Sequence, residues 1–150
     1  MLSKILVPHD GTEMSEKGLQ NAVELAKAFN AELVLLHIIE QIPVSPSIML
    51  GGDTVLINRA RRSIRRELEE GWNKLGESKI RQMQKDRITA TCECLVGSAA
   101  EQILRFAKSN KIDMIVMGSR RLKGVSKIKA LGSVTRRVSE LADCSVLIVH

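Results

Sequence analysis

Five short, continuous apolar runs alternate along this chain with four segments in which apolar residues recur at helical spacing. The runs cover residues 3–8, 32–39, 88–96, 113–117 and 145–150. Continuous apolar runs of this length are typical of strands covered on both faces, as in a parallel sheet with crossover helices on either side. The pattern therefore predicts one α/β domain over residues 1–150, of the doubly wound, Rossmann-like class.

The helical segments carry recognisable start and stop signals. The first begins at Glu13 and ends near Asn30, Ser98 is expected to cap the third, and Gly132-Ser133 opens the fourth. The second is long, from residue 55 to residue 84, and prolines and glycines in residues 41–54 predict a loop before it. Its expected inward stripe consists of Ile57, Ala60, Ile64, Leu68, Trp72 and Leu75.

Five strands of this kind suit a five-stranded parallel sheet in the order 3-2-1-4-5, with the switch point between the first and fourth strands. Ligands of open α/β sheets bind at such points, outside the carboxyl ends of the strands. Those ends are Pro8-His9-Asp10 and Met117-Gly118-Ser119. The topology thus predicts a functional site at these two segments and at the glycine-containing loop of residues 118–133.

The second of these segments leads into a candidate anion site. Gly118 stands where the backbone must turn sharply or let a ligand approach closely. Gly132-Ser133-Val134-Thr135 opens a helix, whose N–H groups and dipole attract anions, and the Ser133 and Thr135 hydroxyls are further donors. Basic residues surround it: Arg120, Arg121, Lys123, Lys127, Lys129, Arg136 and Arg137. A phosphorylated ligand explains this pattern, and so does a glycine turn with a serine cap and solvated basic side chains.

Asp10 is the obvious carboxylate facing the same crevice, placed to accept hydrogen bonds from a base or ribose, or to cap the first helix. His9 is near the crevice, whereas His37 lies within a strand and is expected to be packed or hydrogen-bonded. Neither a Ser/His/Asp order nor spaced metal ligands emerge, so we expect no catalytic residue and no metal site.

Composition narrows the classes of partner. Aromatic residues are scarce, with one Trp, two Phe and no Tyr, which argues against a platform for single-stranded nucleic acid. The net charge of +6 suits an anionic ligand. Nucleic-acid binding is disfavoured, because it rests on this charge alone and the sequence has no recognised nucleic-acid-binding motif. The basic cluster from Arg59 to Arg66 is interpreted as a solvated helix face, because Arg65 and Arg66 precede Glu69 and Glu70 by four residues; an anionic partner is the alternative.

The protein is predicted to be cytoplasmic and not to associate with a membrane. No apolar run approaches the roughly 18 residues of a membrane span, and residues 1–8 read as a strand without a basic leader. The cysteines, Cys92, Cys94 and Cys144, are odd in number, which indicates reduced thiols. Cys92 and Cys94 would share one face of a strand as small core residues, with a metal site as the weaker interpretation.

Several ordered motifs resemble the universal stress protein family. They are Ile5-Leu6-Val7-Pro8-His9-Asp10-Gly11, Val96-Gly97, Met117-Gly118-Ser119-Arg120, Leu131-Gly132-Ser133-Val134-Thr135 and Cys144-Ser145-Val146-Leu147-Ile148-Val149. The resemblance covers essentially the whole chain. It implies a five-stranded α/β domain, a homodimer that pairs through the last strand and, in one branch of the family, ATP bound by the pattern G-x2-G-x9-G-[S/T]; Mg²⁺ could accompany the ATP.

The resemblance also implies roles for individual residues. Asp10 and Ile38 would flank the adenine and ribose, and Pro8 and Met117 would line that crevice. Contacts to ribose and phosphates would come from Gly118, Gly132, Ser133, Val134 and Thr135.

Two departures from the family pattern fall in the phosphate loop. Position 121 is arginine where the pattern has its second glycine, and thirteen residues separate Gly118 from Gly132 where the pattern has twelve. Arg121, next to Arg120, either blocks the approach of the backbone to the phosphates or binds them through its guanidinium group.

Four functions follow. The favoured one is a regulatory module in which ATP or a related adenine nucleotide biases the dimer, or its contact with an unidentified protein partner, during stress. A nucleotide-free homodimer acting by protein contacts, a slow ATP-hydrolysing or phosphotransfer enzyme, and a nucleic-acid-binding protein are the alternatives. An enzyme is disfavoured because residues 118–135 contain no Asp or Glu to hold a metal, and no Walker sequence is present.

Overall fold

The computed structural model of the chain describes residues 1–41, 51, 53–119 and 131–150. Its elements are β1 (Lys4–Pro8), α1 (Glu13–Phe29), β2 (Glu32–Ile39), α2 (Thr54–Lys85), β3 (Ala90–Val96), α3 (Ala99–Ser109), β4 (Met114–Gly118), α4 (Ser133–Leu141) and β5 (Ser145–Val149). The strands form one parallel sheet in the order β3-β2-β1-β4-β5. The predicted fold and strand order are confirmed.

Both faces of the sheet are covered, which explains why its strands are continuously apolar. On one face, Ile5 and Val7 of β1 pack in a cluster with residues of α1 and α2. On the other face, Leu6 packs with residues of α3 and α4. Successive side chains of β1 therefore enter opposite aliphatic layers, and the carboxyl end of β1 is fixed from both sides.

The first helix is capped at both ends. Thr12 is the N-cap residue, and its hydroxyl accepts a hydrogen bond from the backbone N–H of Ser15 at 3.3 Å. Asn30 ends the helix in the left-handed conformation, with φ of 53°. Since only four residues separate β1 from α1, this cap also determines how the chain leaves the sheet at the switch point.

The long helix α2 buries a different stripe from the predicted one. Trp72 is buried as expected, but Ile64, Leu68 and Leu75 are 44%, 49% and 43% exposed. The other buried residues of the helix are Gly76 and Met83. At 1.5 Å per residue, its 32 residues span about 48 Å, against roughly 23 Å for the seven residues of β3. The sheet therefore covers only part of the helix, and the place where α2 meets the sheet decides which helix residues are buried.

The remaining expectations about the scaffold concern its ion pairs, its cysteines, membrane-spanning helices and the loop before α2. The ion pairs Arg65–Glu69 and Arg66–Glu70 form on exposed side chains of α2, at 3.5 and 2.9 Å. All three cysteines are half-buried free thiols, and burial raises the pKa of Cys94 to about 11. No helix of the described ranges is long and apolar enough to cross a membrane. The predicted loop of residues 41–54 lies largely outside the described residues.

Candidate functional site

A crevice of about 440 Å³ opens at the predicted switch point, where the carboxyl ends of β1, β2 and β4 meet the starts of α3 and α4. Its volume lies within the usual size of small-molecule sites. Seven residues predicted for the site line it together: Pro8, Asp10, Ile38, Met117, Gly118, Val134 and Thr135. The structure thus gathers both segments selected by topology around one cavity.

The other predicted residues have different positions. Gly132 and Ser133 lie at the start of α4, beside the crevice but not among the residues that line it. Arg120 and Arg121 lie outside the described residues. Arg137 is exposed and pairs with Glu101 of α3 at 3.5 Å.

Five further lining residues were not predicted for the site from the sequence: Ser15, Leu36, Glu40, Ala99 and Ile103. Ile103 was expected only as a core residue of its helix, and Ala99 is the first residue of that helix. Glu40 directly follows β2, the strand next to β1, so the carboxyl-end rule applied to a third strand would have found it.

The segment between β1 and α1, residues 9–12, is held by its own side chains; we call it the Asp10 loop. The Asp10 carboxylate accepts from the Thr12 backbone N–H at 3.0 Å and from the Thr12 hydroxyl at 2.6 Å. Burial alone would raise the pKa of Asp10, but hydrogen bonds from Thr12 and Ser15 outweigh it and lower that pKa. The N-cap of α1 is Thr12, so Asp10 supports the cap rather than forming it.

His9 ties the Asp10 loop to two helices. Its Nδ1 accepts from the backbone N–H of Gly11 at 3.2 Å, because that N–H can only donate. Its Nε2 therefore carries the proton in the neutral ring and donates to the Glu16 carboxylate at 3.1 Å. Glu16 also pairs with Lys79 of α2. The result is a chain of polar contacts from β1 through α1 to α2.

Opposing effects set the charges in this chain. Burial lowers the pKa of His9, and Lys79 acts in the same direction, while Glu16 opposes both without restoring the ordinary value. Burial raises the pKa of Glu16, but the hydrogen bonds from Lys79 and His9 prevail and lower it. At neutral pH the His9 imidazole is thus neutral and lies beside an ionised Glu16 carboxylate.

The Trp72 indole of α2 packs against the rings of both histidines. The His37 ring stacks on the indole, with centroids 4.2 Å apart and planes 19° apart, and the His9 ring lies 5.5 Å away at 38°. His37 Nδ1 donates to the His9 carbonyl oxygen at 2.7 Å. The expectation that His37 is packed and hydrogen-bonded is confirmed, and both histidines also line the crevice.

Gly118 is required by packing against a helix. A Cβ at this position would overlap the carbonyl oxygen of Met14 in the first turn of α1. A Cβ on Gly18 of α1 would in turn lie 2.9 Å from the Gly118 nitrogen. The two glycines let α1 approach the end of β4 closely, whereas the sequence had suggested a sharp turn or a ligand contact for Gly118.

Val134 and Thr135 at the start of α4 line the opposite wall of the crevice; we call residues 132–135 the α4 start. Gly132 is the N-cap residue, and no side chain of the described residues caps the helix. The first intrahelical hydrogen bond at this end runs from Arg136 N–H to the Gly132 carbonyl. The preceding N–H groups, of Ser133, Val134 and Thr135, have no carbonyl within the helix, so this wall presents backbone donors and the positive end of a helix dipole.

The crevice therefore combines a carboxylate with apolar walls at one side and backbone donors at the other. Within the described residues, no three His, Cys, Asp or Glu side chains come together as a metal site would require. These features define a doubly wound α/β protein with a crevice at its switch point. The lining is chemically suited to a molecule with an apolar, hydrogen-bonding part and an anionic part.

Comparison with known proteins assigns the chain to a family. The family model for the universal stress protein family matches residues 1–150, so the chain belongs to this family. Universal stress protein YxiE of Bacillus subtilis is 37% identical, with all of both chains covered. The solved structure of MJ0577, a universal stress protein of Methanocaldococcus jannaschii, is 27% identical, has a TM-score of 0.74, and covers 99% of this chain and 96% of its own.

A universal stress protein family protein from Arabidopsis thaliana, solved with AMP bound, shares the fold. Its TM-score is 0.69 at 17% identity, and the match covers 98% of this chain and 90% of that one.

Proposed function

We propose that this universal stress protein is a regulatory module that binds ATP in the crevice and works as a homodimer. The observation that carries the proposal is the crevice itself, which is lined by Asp10 and, from the α4 start, by Val134 and Thr135. Family membership gives the proposal its context, and the relative with bound AMP supports an adenine nucleotide as the class of ligand.

The adenosine part of the ligand is assigned to the side of the Asp10 loop. Leu36, Ile38 and Met117 provide apolar surface on which a planar base packs. Asp10 has one oxygen occupied by Thr12, and its other oxygen is an acceptor for ribose hydroxyl or base amino groups. A carboxylate with a lowered pKa stays ionised, which strengthens such hydrogen bonds.

The phosphate part is assigned to the α4 start. Val134 and Thr135 line the crevice there, and the backbone N–H groups of the first turn are suited to phosphate oxygens. Ser133 is exposed and adds a hydroxyl donor. Mg²⁺, if it accompanies ATP, would be held mainly by the phosphates and water, since the α4 start offers no carboxylate.

We further propose binding without efficient catalysis. Phosphoryl transfer depends on a metal-holding carboxylate and a positioned base near the phosphates. Asp10 belongs to the opposite side of the crevice, and the α4 start consists of Gly, Ser, Val and Thr. ATP incubated with the protein and Mg²⁺ for hours should therefore yield no product above a protein-free control; rapid release of phosphate would refute this part.

Titration calorimetry with ATP tests the central proposal. We expect one binding site per chain, with GTP as the matched ligand that differs only in its base. Mass spectrometry of gently desalted protein adds an independent measurement, because a nucleotide that co-purifies would appear as added mass. Absence of heat with ATP, together with absence of bound nucleotide, would refute the proposal.

The dimer is proposed to form through β5. In the described part of the chain, β5 lies at the edge of the sheet and pairs with β4 alone. An edge strand presents unpaired backbone groups that a second copy can pair with. Leu147, which is 37% exposed on this strand, provides apolar surface for the contact.

Light scattering after size exclusion tests the dimer. We expect the mass of two chains of 16.6 kDa for the natural protein, and the mass of one chain for Leu147→Arg, because the added charges would face each other across the contact. Leu141→Arg is the matched control, since Leu141 is 57% exposed but lies on α4. A natural protein that is monomeric at all concentrations would contradict the dimer.

A further inference from the structure

His9 occupies an unusual position for a titratable residue. It is only 4% exposed, it follows directly after β1, and its two ring nitrogens face different partners: Gly11 in the Asp10 loop and Glu16 in α1. The proposed nucleotide contacts do not involve its ring nitrogens, so their role is open.

The contact with Gly11 depends on the protonation state of the ring. In the neutral ring, Nδ1 offers a lone pair to the Gly11 N–H. When Nδ1 takes up a proton from solvent, both ring nitrogens become donors, and two N–H groups then face each other between His9 and Gly11. The hydrogen bond is lost and replaced by a repulsive contact. The Nε2–H bond to Glu16 survives, because a carboxylate accepts from either form.

Gly11 is a sensitive point of the loop. Its φ is 82°, a left-handed conformation that glycine adopts readily. It stands between Asp10 and Thr12, the two residues whose hydrogen bonds form the loop. The carboxylate proposed to hold the nucleoside is therefore one residue from the bond that protonation breaks.

We infer that neutral His9 acts as a positioning residue for the Asp10 loop, and that protonation of its Nδ1 releases the loop and weakens nucleotide binding at acid pH. This inference rests on the proposed function for its effect on binding. Simple charge attraction predicts the opposite, since an added positive charge should favour an anionic nucleotide.

The charged and titratable groups around His9 determine the pH range in which nucleotide binding should weaken. Asp10 on its own segment and Glu16 on α1 favour protonation, whereas burial and Lys79 on α2 oppose it, and burial is the largest influence on its pKa. His37 on β2 donates to the His9 carbonyl, and β4 on the other side of β1 has the uncharged sequence MIVMG. Because the pKa of His9 lies below the ordinary value of 6.5, the loss of affinity should develop below that pH.

Two substitutions separate the two ring nitrogens. The amide oxygen of His9→Asn takes the place of Nδ1 and accepts from the N–H two residues later, as asparagine does in Asx turns, but it does not titrate. The longer side chain of His9→Gln can reach Glu16 in the manner of Nε2 but offers no acceptor to Gly11. Both variants remove the imidazole, and they differ in the contact that they retain: His9→Asn keeps the bond to Gly11, and His9→Gln keeps the bond to Glu16.

The experiment measures the dissociation constant for ATP by calorimetry from about pH 8 to about pH 5. His9→Asn is the reference, because the titration of ATP itself affects both proteins equally. Relative to this variant, the natural protein should lose affinity for ATP by about fivefold to tenfold at the acid end of the range, which is the effect of one hydrogen bond. His9→Gln should bind weakly throughout. Parallel pH profiles for the natural protein and His9→Asn would overturn the inference while leaving ATP binding intact.

A second measurement does not depend on the ligand. In a nitrogen-15 NMR titration of the natural protein, Nδ1 should be the unprotonated nitrogen near neutral pH, and the Gly11 amide should change shift and lose exchange protection with the titration of His9. If neither the natural protein nor His9→Asn binds ATP at any pH, the proposed function and the binding half of the inference fail together. If the chemical shift and exchange protection of the Gly11 amide do not change as His9 titrates, the inferred release of the Asp10 loop is overturned.

Discussion

The two walls of the crevice are built by different means. In the Asp10 loop, side chains hold the backbone: Thr12 bonds to Asp10, and His9 bonds to Gly11 and Glu16. At the α4 start the backbone itself is presented. Within the described ranges no side chain caps it, and a Cβ added to Gly132 would meet nothing within 4 Å.

This difference predicts that the two walls have separate roles in ligand binding. A wall fixed by its own hydrogen bonds has little conformational entropy to lose when a ligand binds, so it suits the discriminating part of the site. A wall of backbone donors tolerates variation in its side chains, because its hydrogen bonds come from the main chain.

The largest expected effect comes from Gly118→Ala. The new methyl group would overlap Met14 and force α1 away from β4, so we expect a loss of about 3 kcal/mol in the free energy of unfolding, measured with urea. Gly132→Ala is the matched control, because its methyl group has space, and it should change stability by no more than about 0.5 kcal/mol. Equal losses at the two glycines would mean that α1 does not approach β4 so closely.

Asp10→Asn should have the next largest effect. The amide still accepts from Thr12, so the loop is retained, but the charge toward the ligand is lost, and affinity for ATP in calorimetry should fall about tenfold. Ser133→Ala, at the wall of backbone donors, should cost about twofold at most, since the N–H groups of the first turn remain. A larger effect at Ser133 than at Asp10 would reverse the comparison of the two walls.

Lys79→Met should have the smallest effect on stability. It removes the partner of Glu16, whose side chain is 40% exposed, so solvent screening limits the expected loss to about 1 kcal/mol near neutral pH. The folded pKa of Glu16 lies below its ordinary value of 4.5, so this stabilisation is present above that pH and fades as pH falls below it.

Urea unfolding at several pH values measures the effect of Lys79→Met. Arg66→Met breaks the pair with Glu70, in which the side chains are 81% and 57% exposed, and it should cost less than about 0.5 kcal/mol. The same loss for Lys79→Met as for Arg66→Met, at every pH, would show that the chain from His9 to Lys79 contributes no more than a surface ion pair.

The fold was predictable because its signals are local. The run at residues 32–39 coincides with β2, and alternating strands and helices leave few topologies for a parallel sheet. The stripe of α2 was mispredicted at Ile64, Leu68 and Leu75, because the sequence shows which residues are apolar but not where a 32-residue helix meets a shorter sheet. Gly76, buried against Cys92, carries no hydrophobic signal at all.

The location of the crevice was predictable, but many of the contacts that shape it were not. The carboxyl-end rule located Asp10 and Met117. The pairing of Glu16 with Lys79 spans 63 positions in sequence, and the contact of Gly118 with Met14 arises only when β4 and α1 are brought together. Such contacts depend on tertiary geometry that spacing does not encode.

The stacking of Trp72 on His37 has an optical consequence. The chain contains one tryptophan and no tyrosine, so its intrinsic near-ultraviolet emission arises essentially from a single indole. That indole lies 4.2 Å from one crevice histidine and 5.5 Å from the other. Changes in the intensity or wavelength of this emission therefore report on the crevice without any added label.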